Sequence, residues 1–129
     1  MTVPTWASRL PWIDGGGGLV VGLVLLPLRG WLADLHGLPL EVMNVTVAAN
    51  LIYGTCGLLL AASARPMPAI VGLALANIAW LFVCLGLVAT HADTLGLTGV
   101  LHLGGEGVYV GVLGAVELRY RHAIRRAGA

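Results

Sequence analysis

The stretch VLHLGGEGVYVGVL, residues 100–113, decides how the chain folds. It is apolar and rich in glycine, yet it contains a histidine and a glutamate. The apolar segment around it runs over residues 95–118, and about 20 residues suffice to cross a bilayer core as a helix. His102 and Glu106 would then lie one turn apart on the same face of that helix. The stretch predicts a membrane-spanning helix that carries two polar side chains.

Three further apolar segments precede it, at about residues 11–28, 41–64 and 69–90. They are separated by proline-rich or polar stretches such as ARPMP (64–68) and THADT (90–94), where a helix can end in contact with water. Of the 129 residues, 58% are hydrophobic and only 10% are charged, far fewer charged residues than soluble domains contain. The sequence predicts one all-α domain, 1–129, built as a bundle of four transmembrane helices.

The segment LRGWLADLHGLPLE (28–41) is too polar to span a membrane. Trp31, Leu32 and Leu35 recur at helical spacing, with Asp34 and His36 between them. This pattern predicts a short amphipathic helix lying in the membrane interface, between the first and second spans. A loose external loop is the alternative.

Arginine placement predicts the orientation. All seven basic residues are arginine, and with four spans both termini lie on one side. Six of the arginines fall on that side, and only Arg29 falls on the other. Positive residues stay in the cytoplasm, so we expect a multi-pass protein of the cell inner membrane with both termini cytoplasmic. Membrane lipid is the expected partner, while a net charge of +1 argues against nucleic acid.

The fourth span has two faces that do not suit lipid. Its glycines fall within an arc of about 80° on a helical wheel; they are Gly104, Gly107, Gly111 and Gly114. A polar face lies nearly opposite and contains His102, Glu106, Tyr109 and Glu117. A glycine groove accepts a neighbouring backbone, and a carboxyl group needs a polar partner. Because each helix of a lone bundle normally turns one face to lipid, this pattern predicts a homo-oligomer or a larger membrane complex.

Glu106 is the leading candidate for a functional residue. It lies about 15 Å from the outer end of its helix, near the membrane midplane, where a charge costs about 2.5–3.5 kcal/mol. Asn50 and Asn77 are expected at similar depth, with Tyr53 one turn from Asn50. We expect one ligand or proton site that contains these residues together with His102 and Tyr109. Alternatively, the asparagines and His102 serve only as hydrogen bonds between helices.

A second polar group is expected near the cytoplasmic surface. Asp14 and Glu117 form a candidate pair there, and Arg119 and Arg121 are close enough in sequence to partner them. The alternative is a structural salt bridge at the interface. The histidines and carboxylates expected toward the outer side match no ligand spacing typical of a metal site. We therefore expect no metal and no cofactor.

A few short motifs give the whole chain a resemblance to other proteins. These are Asp14, LP (26–27), ANIAW (76–80) and AVELRYR (115–121). With them the chain resembles small four-helix bacterial membrane proteins, which implies a fold and a compartment but no activity. In size it is also similar to the small multidrug exporters. Those carry their membrane glutamate in the first helix, whereas this chain has it in the fourth, so their activity is not expected here.

Three functions are compatible with these features. The first is a small oligomeric transporter or proton-handling protein, in which Glu106 titrates and His102 lies on the outer access route. The second is a non-catalytic subunit of a larger membrane complex, docked through the glycine face. The third is a membrane-embedded enzyme with Glu106 as general acid acting on a lipophilic substrate. The enzyme ranks last, because no second catalytic group accompanies Glu106.

Overall fold

The structure is a computed structural model that describes residues 4–128. A short 3-10 helix, Thr5–Arg9, leads into four α-helices: α1 Leu10–His36, α2 Leu40–Ala61, α3 Met67–Thr90 and α4 Leu97–Arg126. All four are long and apolar enough to cross a membrane. The all-helical class and the four long helices predicted from the sequence are confirmed, and the composition is compatible with a multi-pass membrane protein.

Proline and glycine set the connections between the helices. Pro39 and Pro66 precede the first residues of α2 and α3, and Gly96 precedes α4. Gly37 ends α1 with φ of +70°, a left-handed conformation that favours glycine. We call the end with connections 37–39 and 91–96 the loop end, and the end with both termini the terminal end.

Helices α1 and α2 form one hairpin through a glycine interface. A Cβ atom added at Gly15 would lie 2.6 Å from the carbonyl carbon of Gly57, and one added at Gly18 would lie 3.3 Å from the Cα of Gly54. The two backbones therefore touch, with no room for side chains between them. Close packing of this kind is how helices associate where lipid removes the hydrophobic driving force.

Helices α3 and α4 form the second hairpin, and it uses the glycine face of α4. Cβ atoms added at Gly107 and Gly111 would lie 2.8 Å from Cys84 Cβ and 2.7 Å from Leu81 Cδ2, both in α3. Gly104 lies outside this contact, with nothing within 4 Å of its added Cβ. Most of the glycine face is thus covered within the chain. Helix α3 of the same chain thus occupies most of the groove that was considered as a contact with another chain, and the homo-oligomer or larger complex stays a prediction.

The two hairpins meet mainly at their ends. The interface between α1 and α4 is less extensive than the interface within each hairpin, and the interface between α2 and α3 is smaller still. An apolar cluster at the terminal end includes Ala7, Leu10, Leu60, Ile70, Ala123 and Ile124. A second cluster at the loop end includes Leu25, Ala33, Leu38, Met43, Val47 and Leu103. Between these clusters the centre of the molecule holds a cavity.

The segment expected as a separate interfacial helix is the end of α1. The helix continues through Pro27 to His36 without a break, and residues 37–39 are the only connection to α2. Tertiary packing explains the difference, because Ala33 and His36 are only 3% and 4% exposed. Packing against α2 and α4 holds these last turns in line with the rest of α1. The loss of one backbone donor at Pro27 is tolerated in membrane helices.

The outer surface of the bundle is apolar. Large hydrophobic side chains on every helix are exposed, among them Leu23, Ile52, Leu59, Phe82, Leu101 and Val112. Soluble monomers rarely expose a continuous apolar surface of this extent. Several polar side chains in the middle of the helices, among them Asp14, Asn50, Asn77 and Glu106, instead line the central cavity.

Candidate functional site

The candidate site is a cavity of about 410 Å³ between the two hairpins. All four helices line it. Its polar lining consists of Asp14 from α1, Asn50 and Tyr53 from α2, Asn77 and Trp80 from α3, and Glu106 and Tyr109 from α4. The remaining lining is glycine, alanine and valine. A mostly apolar cavity with a few convergent polar groups is typical of a small-molecule site.

Glu106 is held at the cavity wall by two donors from different helices. Its Oε1 atom accepts hydrogen bonds from Asn50 Nδ2 at 2.9 Å and from Trp80 Nε1 at 2.8 Å. Asn50 gives its other amide hydrogen to the Thr46 carbonyl at 3.0 Å, so its orientation is fixed. With Oε1 occupied twice as an acceptor, any proton that Glu106 carries resides on Oε2.

The other oxygen of Glu106 faces His102, as expected from their spacing. Oε2 lies 3.3 Å from His102 Nε2, within ion-pair distance, but it accepts no hydrogen bond of regular geometry from residues 4–128. The glutamate side chain is 10% exposed and the histidine side chain 18% exposed. The pair is thus largely shielded from solvent.

A second histidine extends this pair toward the loop end. His36 Nε2 lies 2.9 Å from His102 Nδ1, and His36 Nδ1 lies 3.1 Å from Thr98 Oγ1. The Thr98 hydroxyl in turn donates to the Leu35 carbonyl at 3.1 Å. We call the series Thr98, His36, His102 and Glu106 the histidine path.

The direction of hydrogen bonding along the histidine path can be deduced. Thr98 has one hydroxyl hydrogen and gives it to Leu35, so its oxygen accepts from His36 Nδ1. Two contacts then remain, His36 with His102 and His102 with Glu106, and each needs one hydrogen between its two atoms. Moving these two hydrogens across their contacts shifts one proton from Glu106 to His102 and then to His36, and the net charge of the three groups stays zero. The path can therefore relay a proton.

Asp14 forms a separate polar group nearer the terminal end. Its Oδ2 accepts from the Tyr53 hydroxyl and, at 2.9 Å, from Asn77 Nδ2. Its carboxyl group also lies close to that of Glu117, which brings near each other the two acids paired on sequence grounds. Asp14 and Glu117, here called the acid pair, are 5% and 4% exposed.

The structure divides the expected site residues differently from the sequence interpretation. Asn50, His102 and Glu106 come together, but Asn77 joins Asp14 instead. Tyr53 also binds Asp14, although it lies only one turn from Asn50. Tyr109 lines the cavity and is 56% exposed. A single cluster was expected because depth along a helix was estimated without knowing its rotation or its tilt.

The arginines expected beside the acid pair lie elsewhere. Arg119 is exposed, and Arg121 donates to the Leu118 carbonyl of its own helix at 2.6 Å. Buried Arg65 donates to the carbonyls of Ala61 and Ser8. Within residues 4–128, the acid pair thus has no basic side chain among its hydrogen-bonding partners.

Three residues of the site were not assigned to it from the sequence. His36 and Thr98 lie in or near segments expected at the surface, and Trp80 belongs to the stretch ANIAW (76–80), which was considered only for its resemblance to other proteins. His36 lies 66 positions from His102, and no local pattern reports such a contact. The one signal in the sequence that could have indicated His36 is that histidine is rare in this apolar chain, which contains only four.

No protein-family model, curated protein or solved structure shows a significant match to this chain. The functional argument therefore rests on the geometry of the cavity and of the two polar groups on its wall.

Proposed function

We propose that this protein is a small multi-pass membrane protein that moves protons between one membrane surface and the central cavity, as part of a transport process. The observation that supports the proposal is the histidine path. It leads from the exposed Thr98 through two histidines to a carboxyl group on the cavity wall, with side-chain contacts of 3.1, 2.9 and 3.3 Å.

The proposed route covers the thickness of a membrane. Eight residues of α4 separate Thr98 from Glu106, or about 12 Å at the helical rise. Eleven more separate Glu106 from Glu117, or about 16 Å. The sum is close to the roughly 30 Å of a hydrocarbon core. The histidine path would connect the cavity to the loop end, and the acid pair would connect it to the terminal end.

The direction follows from the arginines. Six of seven lie at the terminal end, so we place that end in the cytoplasm and the loop end outside the inner membrane. Protons would then enter along the histidine path and leave through the acid pair. The proposal does not require self-association, because α3 occupies the glycine groove on which that expectation depended.

The proposal is tested by proton flux in liposomes that contain the purified protein and a pH-sensitive dye. An imposed pH gradient should dissipate faster than in empty liposomes. Glu106→Gln keeps the oxygen that Asn50 and Trp80 bind but cannot release a proton. We expect it to slow the flux about 100-fold, the size of effect typical of a lost proton-transfer group.

The matched control is Glu41→Gln, which removes the exposed carboxyl group in the first turn of α2. It should leave the flux unchanged. A flux equal to that of empty liposomes under every applied gradient, or a Glu106→Gln variant as active as the wild type, would refute proton movement through Glu106.

A further inference from the structure

The charge on the cavity wall can be counted from its contacts. Along the histidine path the proton count gives a net charge of zero, as derived above. The acid pair has two carboxyl groups close together. Two carboxylates that close cannot both remain ionised without a compensating charge, so they hold at least one proton between them. With one proton the cavity wall carries a net charge of −1.

This negative charge has no positive partner in the described part of the chain. None of the residues lining the cavity is basic, and the arginines nearest in sequence bind backbone carbonyls or are exposed. Glu117 Oε2 is buried and has no hydrogen-bond partner within residues 4–128. A buried charge needs a partner, so the empty cavity takes up a second proton or the cavity holds a cation.

The shape and lining of the cavity favour an organic cation over a metal ion. Its volume of about 410 Å³ lies in the range of roughly 300–1,000 Å³ that holds small organic ligands. The rings of Tyr53, Trp80 and Tyr109 line it together with glycine, alanine and valine. Aromatic rings attract organic cations through their faces, and the aliphatic lining suits an apolar body.

We propose that the cavity binds a small monovalent organic cation, an amine or quaternary ammonium with an apolar body, in exchange for one proton of the acid pair. Asp14 is the carboxyl group that faces the cation, and Glu117 holds the remaining proton. On binding, no covalent bond to the cation forms. One proton leaves the acid pair for water at the terminal end, so the total charge in the cavity is unchanged. This inference rests on the proposed function, for which it names the substrate class.

The test is equilibrium dialysis of the purified protein in detergent against radiolabelled benzyltrimethylammonium. This cation has no proton to lose, so any pH dependence belongs to the protein. We expect one cation bound per chain. Neopentylbenzene, its uncharged carbon analogue, and benzenesulfonate, an anion, should displace it far less well than the unlabelled cation, and Na⁺ should not displace it.

Acid should weaken the binding, because protons compete with the cation for the acid pair. One-for-one competition changes the apparent dissociation constant by about tenfold per pH unit where the empty site is protonated. Tyr53, Asn77 and Glu117 are the groups that face Asp14 from the other three helices, and Glu117 is the one carboxyl group among them. A binding constant independent of pH would refute the exchange.

Variants assign the roles within the acid pair. Asp14→Asn should weaken binding by about 30-fold or more, as expected when a buried charge loses its partner. Glu117→Gln removes the group that holds the remaining proton, so we expect it to change the pH at which acid weakens binding, and Glu41→Gln serves as the unaffected control. Should Asp14→Asn fail to fold, the pH series on the wild type still decides. Equal displacement by the uncharged analogue would identify a site for lipid chains or neutral molecules and would overturn the inference.

The proposed function and the proposed substrate class can be refuted separately, because cation binding and proton flux are measured independently. Dialysis needs no membrane and no gradient, so cation binding without Glu106-dependent flux would refute only the proposed function. Flux that depends on Glu106 without cation binding would refute only the substrate class.

Discussion

Thr98 determines which hydrogens the histidine path carries, although it lies at the outer end of that path. Its single hydroxyl hydrogen goes to the Leu35 carbonyl, which leaves its oxygen to accept from His36 Nδ1. Nδ1 of His36 therefore carries a hydrogen, whereas the hydrogens of His102 depend on where the mobile proton of the path lies. Hydrogen bonds behind a functional histidine commonly set its orientation and its tautomer in this way.

Replacing Thr98 with valine tests this role. Valine has nearly the same shape but cannot accept from His36, so both neutral tautomers of His36 become accessible. We expect proton flux to fall about tenfold, the lower range for loss of an orienting partner, while Thr98→Ser restores it. Nitrogen-15 NMR of the labelled histidines should show a mixture of His36 tautomers in Thr98→Val only. An unchanged tautomer together with reduced flux would contradict the positioning role.

Sequence reasoning located the pair of His102 and Glu106 because both residues lie on one helix, where spacing determines which side chains are neighbours. It failed for Asn77, which was grouped with Glu106 but binds Asp14. Asn77 and Trp80 are one turn apart on α3 and bind different acids. Which acid each side chain reaches depends on how α3 is rotated against α1 and α4. That rotation cannot be predicted from a single sequence.

At the scale of the helices, glycine determines which elements pair. Gly15, Gly18, Gly54 and Gly57 bring α1 and α2 together, while Gly107, Gly111 and Gly114 bring α3 and α4 together. The glycine face of α4 was visible in the sequence, and the apolar runs placed the helices within a few residues. Two ends were misjudged. Helix α1 runs eight residues past Leu28, and α4 continues to Arg126, because tertiary contacts hold turns that hydropathy alone assigns to water.

Two alanine substitutions on α4 test the glycine packing. At Gly107 a new Cβ would lie 2.8 Å from Cys84 Cβ, whereas at Gly105 it would meet nothing within 4 Å. We expect Gly107→Ala to lower the free energy of unfolding in detergent by about 1–3 kcal/mol, as overpacking does. Gly105→Ala is the matched control on the same helix and should be neutral or slightly stabilising.

The size of the protein particle in detergent distinguishes packing within the chain from packing between chains. We expect Gly107→Ala to leave the particle size unchanged, because α3 of the same chain fills the groove. A variant of normal stability that loses a larger assembly would show instead that this face binds another protein.

At the scale of the whole molecule, acidic, basic and apolar residues occupy different regions. The cavity wall carries acids, the terminal end carries most of the arginines, and the outer surface is apolar. Arg65 illustrates the terminal end: it is 6% exposed and donates to the carbonyls of Ala61 and Ser8. A buried cation at the carboxyl end of α2 is stabilised by the helix dipole. The charge pattern along the sequence was enough to predict one orientation for the whole bundle.

Reporter fusions test that orientation. A reporter that is active only outside the cytoplasm should be inactive when fused after Ala129 and active when fused after Asp93, in the connection between α3 and α4. The expected difference follows from the excess of arginine at the terminal end. Activity after Ala129 would invert the direction of proton movement proposed above, although the path itself would remain.

The contact between the end of α1 and the start of α4 has a consequence for the order of events in a working cycle. Gly96 donates to the His36 carbonyl at 2.9 Å, and Thr98 donates to Leu35 at 3.1 Å. The bonds that hold the two hairpins together at the loop end therefore involve two residues of the histidine path, His36 and Thr98. Any separation of the hairpins wide enough to admit a molecule from that end must break the link between His36 and His102. Entry of a molecule into the cavity and protonation of Glu106 along the histidine path would then alternate. The motion that separates the hairpins would also interrupt the histidine path, so protons would not leak through the open state.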